Sequence, residues 1–314
     1  MVVLELEYLS ELIDLLWMAE KYEFVDIRPK RGYAMALMLV GSIVISFGGL
    51  AIRNIETADN WQINFYRSIA FGLAISIVLL FRYGKTGTQQ LKGIGLEGIL
   101  AAMLLASASI SFLQAITNTT VAATTFTLSS IPFLTAIMAW VFLGERIGKS
   151  TILTIFIAAV GIFFMFVQGL GSGTFYGNFM ALVCAVGFSF YTIIIRRNRR
   201  LEMLPTLILS NLIIMLVALM FTWDNLLISW NDLLICFILG GLLSATVNTL
   251  FLVAAKHLFA AELTVFMLLE FTLGPIWVWI FINEVPTIWT LVGGSIVISA
   301  VFVKTVSELR KTKV

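Results

Sequence analysis

AITNTTVAATTFTLSSIPFLTAIMAWVFLGE, residues Ala115–Glu145, can be laid on AAKHLFAAELTVFMLLEFTLGPIWVWIFINE, residues Ala254–Glu284, at a constant offset of 139 residues and without a gap. Both copies carry an alanine at the same place near their start, Ala122 and Ala261, and both leave on a glutamate. Between these points each copy stays apolar for about 20 residues, the length at which a helix crosses the hydrocarbon core of a bilayer. Neither copy alternates apolar and polar residues, which excludes a transmembrane β-barrel. A second pair of segments matches nearer the start of each half, Gly32-Tyr-Ala-Met-Ala-Leu37 with Gly177-Asn-Phe-Met-Ala-Leu182, at an offset of 145. The chain therefore reads as one unit written twice.

Outward from these copies the composition is of the same kind. Of 314 residues, 60% are hydrophobic and 12% charged, and the mean hydropathy is +1.00. Soluble domains carry roughly a quarter of charged residues, so the apolar surplus here requires lipid. Readings as a soluble enzyme or a nucleic-acid-binding protein fall away on that ground. The two cysteines, Cys184 and Cys236, sit in apolar stretches and form no metal-binding spacing, and the single histidine, His257, cannot build a histidine site.

Ten apolar spans can be read, at about residues 34–52, 62–81, 96–114, 121–143, 151–168, 177–195, 205–222, 233–254, 260–282 and 286–304. The basic residues test this count. Of the 20 Lys and Arg residues, 18 fall on one side of the spans, from Lys21 through the Arg196 to Arg200 run to Lys313; Arg53 falls on the other side and Arg67 inside the second span. Basic residues mark cytoplasmic loops, so both termini are expected in the cytoplasm. Residues 1–33 form an N-terminal cytoplasmic extension, with Leu6, Leu9, Leu12, Ile13, Leu16 and Trp17 at helical spacing. It is acidic on its other face, which disfavours an anionic membrane surface, and it lacks the basic start of a signal peptide. Residues 305–314 form a basic tail.

The expected fold is an all-α integral membrane protein of ten transmembrane helices, built as two five-helix repeats over residues 34–168 and 177–304. Five is odd, so the second repeat enters the membrane inverted relative to the first. Inverted repeats accompany secondary transporters, because two similar halves packed about a pseudo-two-fold axis can expose a site between them to either side in turn.

The residues Trp61-Gln-Ile-Asn-Phe-Tyr-Arg67, Leu128-Ser-Ser-Ile-Pro132, Ala139-Trp-Val-Phe-Leu-Gly-Glu145, Leu269-Glu270, Gly274-Pro-Ile-Trp-Val-Trp279 and Glu284 together resemble the EamA family of the drug/metabolite transporter superfamily, over about residues 34–304. The resemblance implies a permease for small organic metabolites such as amino acids or drug-like compounds, working by alternating access, in some members as an exporter. It implies a cell-membrane location, a small-molecule solute and the lipid bilayer as partners, and a monomer or homodimer. Neither an enzyme activity, a cofactor, a metal nor a nucleic acid is expected. The second half departs from the first by placing Phe271 where the first has Pro132 and moving its proline to Pro275.

Ionisable groups within the bilayer are costly and mark functional sites by default. Glu270, near the middle of the ninth span, is the deepest acid and a candidate for binding a cation or a proton; the alternative is a carboxyl that bonds neighbouring helices. Arg67 lies about five residues below the external end of the second span, where it could contact an anionic solute, pair with Glu270, or snorkel to the interface. Its repeat equivalent is Asn211. Asn248 and Gln114 carry large amides that are hard to hide in lipid, and Ser109 is the repeat equivalent of Asn248. Ser130, Tyr191 and Trp277 complete the expected solute path, with Pro132 and Pro275 as candidate hinges, since proline removes a backbone donor and frees a carbonyl. No phosphate-cradling loop is present, so direct drive by a nucleoside triphosphate is not expected. A transport-inactive receptor or assembly factor on the same scaffold is the rival, although the loops are too short for a large soluble surface.

Overall fold

The protein is described by a computed structural model, over residues 27–83, 94–118, 124, 127–145, 148–166, 175–199, 202–282 and 288–312. The expected amphipathic segment within residues 1–26, the acid Glu284 and the last two residues of the basic tail lie outside the described residues. Every regular element among the described residues is a helix: α1 (Ile27–Ser46), α2 (Gly48–Arg53), α3 (Asn60–Tyr83), α4 (Leu96–Asn118), α5 (Ile131–Leu143), α6 (Lys149–Phe166), α7 (Phe175–Arg197), α8 (Leu204–Thr222), α9 (Trp230–Phe237), a π-helical segment (Ile238–Ser244), α10 (Ala245–Ala255), α11 (Ala260–Ile282) and α12 (Ile288–Thr312). Seven of the continuous helical stretches are long and apolar enough to cross a membrane: Arg31–Ile52, Asn60–Arg82, Leu96–Asn118, Phe175–Arg197, Leu204–Thr222, Trp230–Ala255 and Ala260–Phe281. Three shorter apolar helices, Ile131–Leu143, Lys149–Gly161 and Leu291–Lys304, complete the bundle.

Packing pairs the helices in a regular way. The most extensive contacts are α4 with α7, α6 with α12, and α3 with α8. In addition α1 packs on α10 and α11, α5 packs on α7 and α11, and α3 and α8 pack respectively on the π segment and on α4. Large side chains fill the interior, with Met35, Ile75, Tyr191, Leu207, Leu258, Leu263 and Phe266 all fully buried. The outward faces carry Phe81, Phe156, Trp140, Met220, Phe302 and Val303 in exposed positions, as expected where lipid tails are the solvent.

Three features interrupt the simple ten-span reading. The first span breaks at Phe47, between α1 and α2. In the fourth, residues 129–130 form a turn and the helix proper starts at Ile131, so Pro132 occupies the first turn of α5, where its missing N–H leaves no intrahelical bond unmade. The eighth widens into the π segment. Its glycines allow a close approach, because a Cβ on Gly240 would lie 2.0 Å from the Arg67 carbonyl oxygen of α3. The backbones of the two helices touch there, which small residues alone permit. A similar seam joins α6 to α12, where a Cβ on Gly161 would lie 2.7 Å from the Gly293 carbonyl oxygen.

Hydrogen bonds fasten α3 to the second half at one end of the bundle. Gln62 Nε2 donates to the Asn225 carbonyl at 2.8 Å, the Tyr66 hydroxyl donates to the Leu226 carbonyl, and Trp61 stacks on Phe221 with ring centroids 4.3 Å apart. The buried Asp232 accepts the N–H groups of Glu56, Thr57 and Ala58 and the Thr57 hydroxyl, clasping the loop before α3. At the other end of the same helix pair Arg82 lies 3.5 Å from Glu202.

Candidate functional site

Glu270 sits on the stripe of α11 that runs along α1. One turn before it, the Ser42 hydroxyl donates to the Phe266 carbonyl at 2.7 Å. One turn after it, Gly274 leaves room against the Ser46 carbonyl, 3.9 Å from where its Cβ would be. Further on, Trp277 Nε1 donates to Ser46 Oγ at 2.7 Å and its ring stacks on Phe47 with centroids 4.4 Å apart. On the α7 side, Cys184 lies within electrostatic reach of the carboxylate. The Glu270 side chain is half-buried, and among the described residues it has no hydrogen-bond or ion-pair partner. Glu270 is thus a half-buried acid on the stripe of α11 that faces α1, without a partner among the described residues. Such a group is costly in an apolar surround and is available to bind whatever enters.

Arg67 is held differently. Its Nη2 donates to Ser109 Oγ of α4 at 2.6 Å and to Asn64 Oδ1 at 3.3 Å, and Cys236 of α9 is its electrostatic neighbour. It forms no ion pair with Glu270 or with any other acid among the described residues. Both of its partners are neutral, so the guanidinium keeps its charge uncompensated on a half-buried side chain. The structure thus brings Arg67 and Ser109 together, as two of the expected path residues, and adds Asn64.

The remaining candidates are spread more widely. Asn211, buried on α8, donates to the Leu207 carbonyl of its own helix at 3.0 Å and to Ser210 Oγ at 3.4 Å. Asn248, half-buried, donates to the Ser244 carbonyl at the end of the π segment, at 2.9 Å. Gln114 lies near the end of α4, which continues to Asn118, and its Oε1 accepts from Asn118 Nδ2 at 3.3 Å. Ser130 donates to the Thr127 carbonyl at 2.6 Å in the turn that precedes α5. Tyr191 is fully buried between Phe188 and Phe251, with centroids 5.6 and 6.1 Å away, and its hydroxyl has no hydrogen-bond partner. Pro275 lies within α11 five residues beyond Glu270. Sequence reasoning missed Asn64, Ser46 and Phe47. The first was legible as a polar residue one helical turn from Arg67; the other two were not, because only the break at Phe47 turns them toward Trp277.

These features define a multi-pass α-helical membrane protein with isolated charges in its interior. Residues 32–167, the first half of the chain, match the model of the EamA-like transporter family. No curated protein matches the chain. A solved structure described only as a crystal structure of a protein has the same fold, with a TM-score of 0.73 and 14% identity over 88% of this chain and 98% of its own.

Proposed function

We propose that the protein is a secondary carrier for small organic solutes, working by alternating access between two inverted five-helix halves. The observation that carries this reading is the pair of intramembrane charges, Glu270 and Arg67, each half-buried and neither neutralised by an ion pair among the described residues. The EamA-like match over the first half supports it. So does the packing scheme: exchanging each helix for its equivalent in the other half turns the α1–α11 contact into α5–α7, α1–α10 into α4–α7, and the α3–π-segment contact into α4–α8, while α3–α8, α6–α12 and α5–α11 map onto themselves. Ten crossings with an odd number per half give this pattern naturally.

On this reading the solute site lies between the halves, with Glu270 as its cation or proton acceptor and Arg67 on the path nearer the outer face. Asn248, Gln114, Asn211, Ser130, Tyr191 and Trp277 shape the route, and Pro132 and Pro275 are its hinges. The basic-rich end, with both chain termini, faces the cytoplasm of a cell membrane, following the bias of Lys and Arg.

Purified protein in liposomes tests the reading against a broad panel of metabolites. A carrier gives saturable uptake that is accelerated by solute on the opposite side; absence of flux for the whole panel would overturn it. Glu270→Gln is expected to slow transport and flatten its dependence on pH, and an unchanged rate and pH profile would remove Glu270 from the mechanism.

A further inference from the structure

At the basic-rich end of the bundle, charges on or next to five helices meet in one cluster. Arg31 of α1 donates from Nη2 to Glu262 Oε1 of α11 at 2.6 Å, and Lys304 Nζ of α12 lies 3.5 Å from the same oxygen. Arg196, at the end of α7, donates from Nε to Oε1 of Glu145, just beyond α5, at 2.7 Å, and from Nη1 to the Ala255 carbonyl at 2.9 Å. The second oxygen of each acid is also engaged: Glu145 Oε2 accepts the Ala260 N–H and Glu262 Oε2 the Phe259 N–H, both at 3.2 Å. Phe259 joins the two pairs, since the guanidinium carbons of Arg31 and Arg196 stand 5.4 and 5.5 Å from the centre of its ring. The side chains of Glu262, Lys304 and Arg196 are only 4, 5 and 6% exposed, so these charges are held away from water and depend on one another.

Two further observations give the cluster a direction. Both tight pairs join one half to the other, Arg31 and Glu145 from the first, Glu262 and Arg196 from the second. And the repeat does not reproduce it at the opposite end. At the offsets of 145 and 139 residues, the equivalents of Arg31, Arg196, Glu262 and Lys304 are Tyr176, Ala51, Ala123 and Met165. Of the five charged positions, Glu145 alone keeps a charged equivalent, Glu284. Two halves alike in packing therefore differ in what ties their ends.

We infer that this cluster is a latch that holds the basic-rich, cytoplasm-facing end of the carrier shut and biases its resting state toward the outside. The inference rests on the carrier reading above. Parting the halves at this end must break both ion pairs and the Arg31–Phe259 ring contact together, because they meet at Phe259 and the start of α11. At the other end the halves are tied by hydrogen bonds, Asp232 accepting from the loop before α3 and Gln62 and Tyr66 donating to the Asn225 and Leu226 carbonyls, and among the described residues no ion pair has to break there.

Cys184, buried on α7 in the apolar cluster that includes Leu268 of α11, is a native reporter of entry from the cytoplasmic side once Cys236 is replaced in a Cys236→Ser background. The double variant Glu145→Gln with Arg196→Gln removes both partners of one pair and so leaves no lone buried charge to unfold the chain. Glu262→Gln attacks the other pair independently. A membrane-impermeant maleimide is applied to inside-out and to right-side-out vesicles. The latch predicts that labelling of Cys184 from the cytoplasmic side rises about tenfold in both variants, as loss of a typical coupling between two states would give, with labelling from the outside lowered. Unchanged cytoplasmic labelling in both variants overturns the latch, as does an equal rise from both sides, which would mean general loosening. The readout needs no flux. If labelling shifts as predicted while the parent moves no solute in liposomes, the carrier reading fails and the latch stands as a conformational device; if the parent transports and labelling does not shift, the latch alone fails.

Discussion

At the scale of single residues, Arg67 and Glu270 show how much chemistry position alone can set. Both were legible in the sequence because charge is rare in a span and expensive there. Their partners were not legible, since the rotation of each helix decides them. Arg67 turned to Ser109 and Asn64 rather than to Glu270. This makes a prediction about the solute. With two neutral acceptors holding one nitrogen, the rest of the guanidinium is free to face an anionic group, and a hydrogen bond to a charged partner contributes about 1.5–3 kcal/mol. Arg67→Gln is therefore expected to raise the KM for solutes bearing a carboxylate or phosphate by tenfold or more, on the order of that contribution, while uncharged analogues are affected much less. Arg67→Lys should recover only part of the loss, because an ammonium cannot reproduce the planar fork. Initial rates of uptake over a range of solute concentrations check both.

At the scale of elements, the apolar helices were readable because bilayer thickness imposes a length. The interruptions were not. An apolar run such as Ile238-Leu-Gly-Gly-Leu-Leu-Ser244 has the same composition whether its hydrogen bonds follow an α or a π ladder, and the neighbour that decides between them, the α3 backbone at Arg67, is some 170 residues away in the chain. Gly240 is the part of this segment that a single change can test. Gly240→Ala sets a methyl group against a backbone oxygen and should lower stability by about 1–3 kcal/mol, read as a reduced Tm in detergent. Gly49 and Gly72 have no atom within 4 Å of the added methyl. Gly49→Ala and Gly72→Ala are expected to leave the Tm unchanged or raise it, since alanine is the better helix former. A loss of stability from all three would show that close approach at Gly240 is not the cause.

At the scale of the whole molecule, the two helices α3 and α8 are fastened at both ends, by Gln62, Tyr66 and Trp61 at one and by Arg82 and Glu202 at the other. In the carrier proposed above, helices tied at both ends are the natural axis about which the halves would turn. A reducible bifunctional maleimide that links Arg82→Cys to Glu202→Cys is accordingly expected to leave transport active, whereas the same link between Arg31→Cys and Glu262→Cys should stop it until cleaved; solute flux before and after a reductant distinguishes the two. Which helices are tied at both ends could not be read from the sequence, because that depends on contacts between residues far apart in the chain. The glycine seam between α6 and α12 carries a further consequence, which concerns how the protein is made. The helix that fills the groove at Gly161 follows it by some 130 residues in the chain, and at roughly 5–20 residues per second it arrives on the order of ten seconds after α6 has entered the membrane. Through that interval the groove has only lipid against it, so the closing helix acts as the maturation step of the first half as well as of the second. Chains that stop before Gly293 should carry an open groove that cellular quality control can recognise, however well their first five spans have formed.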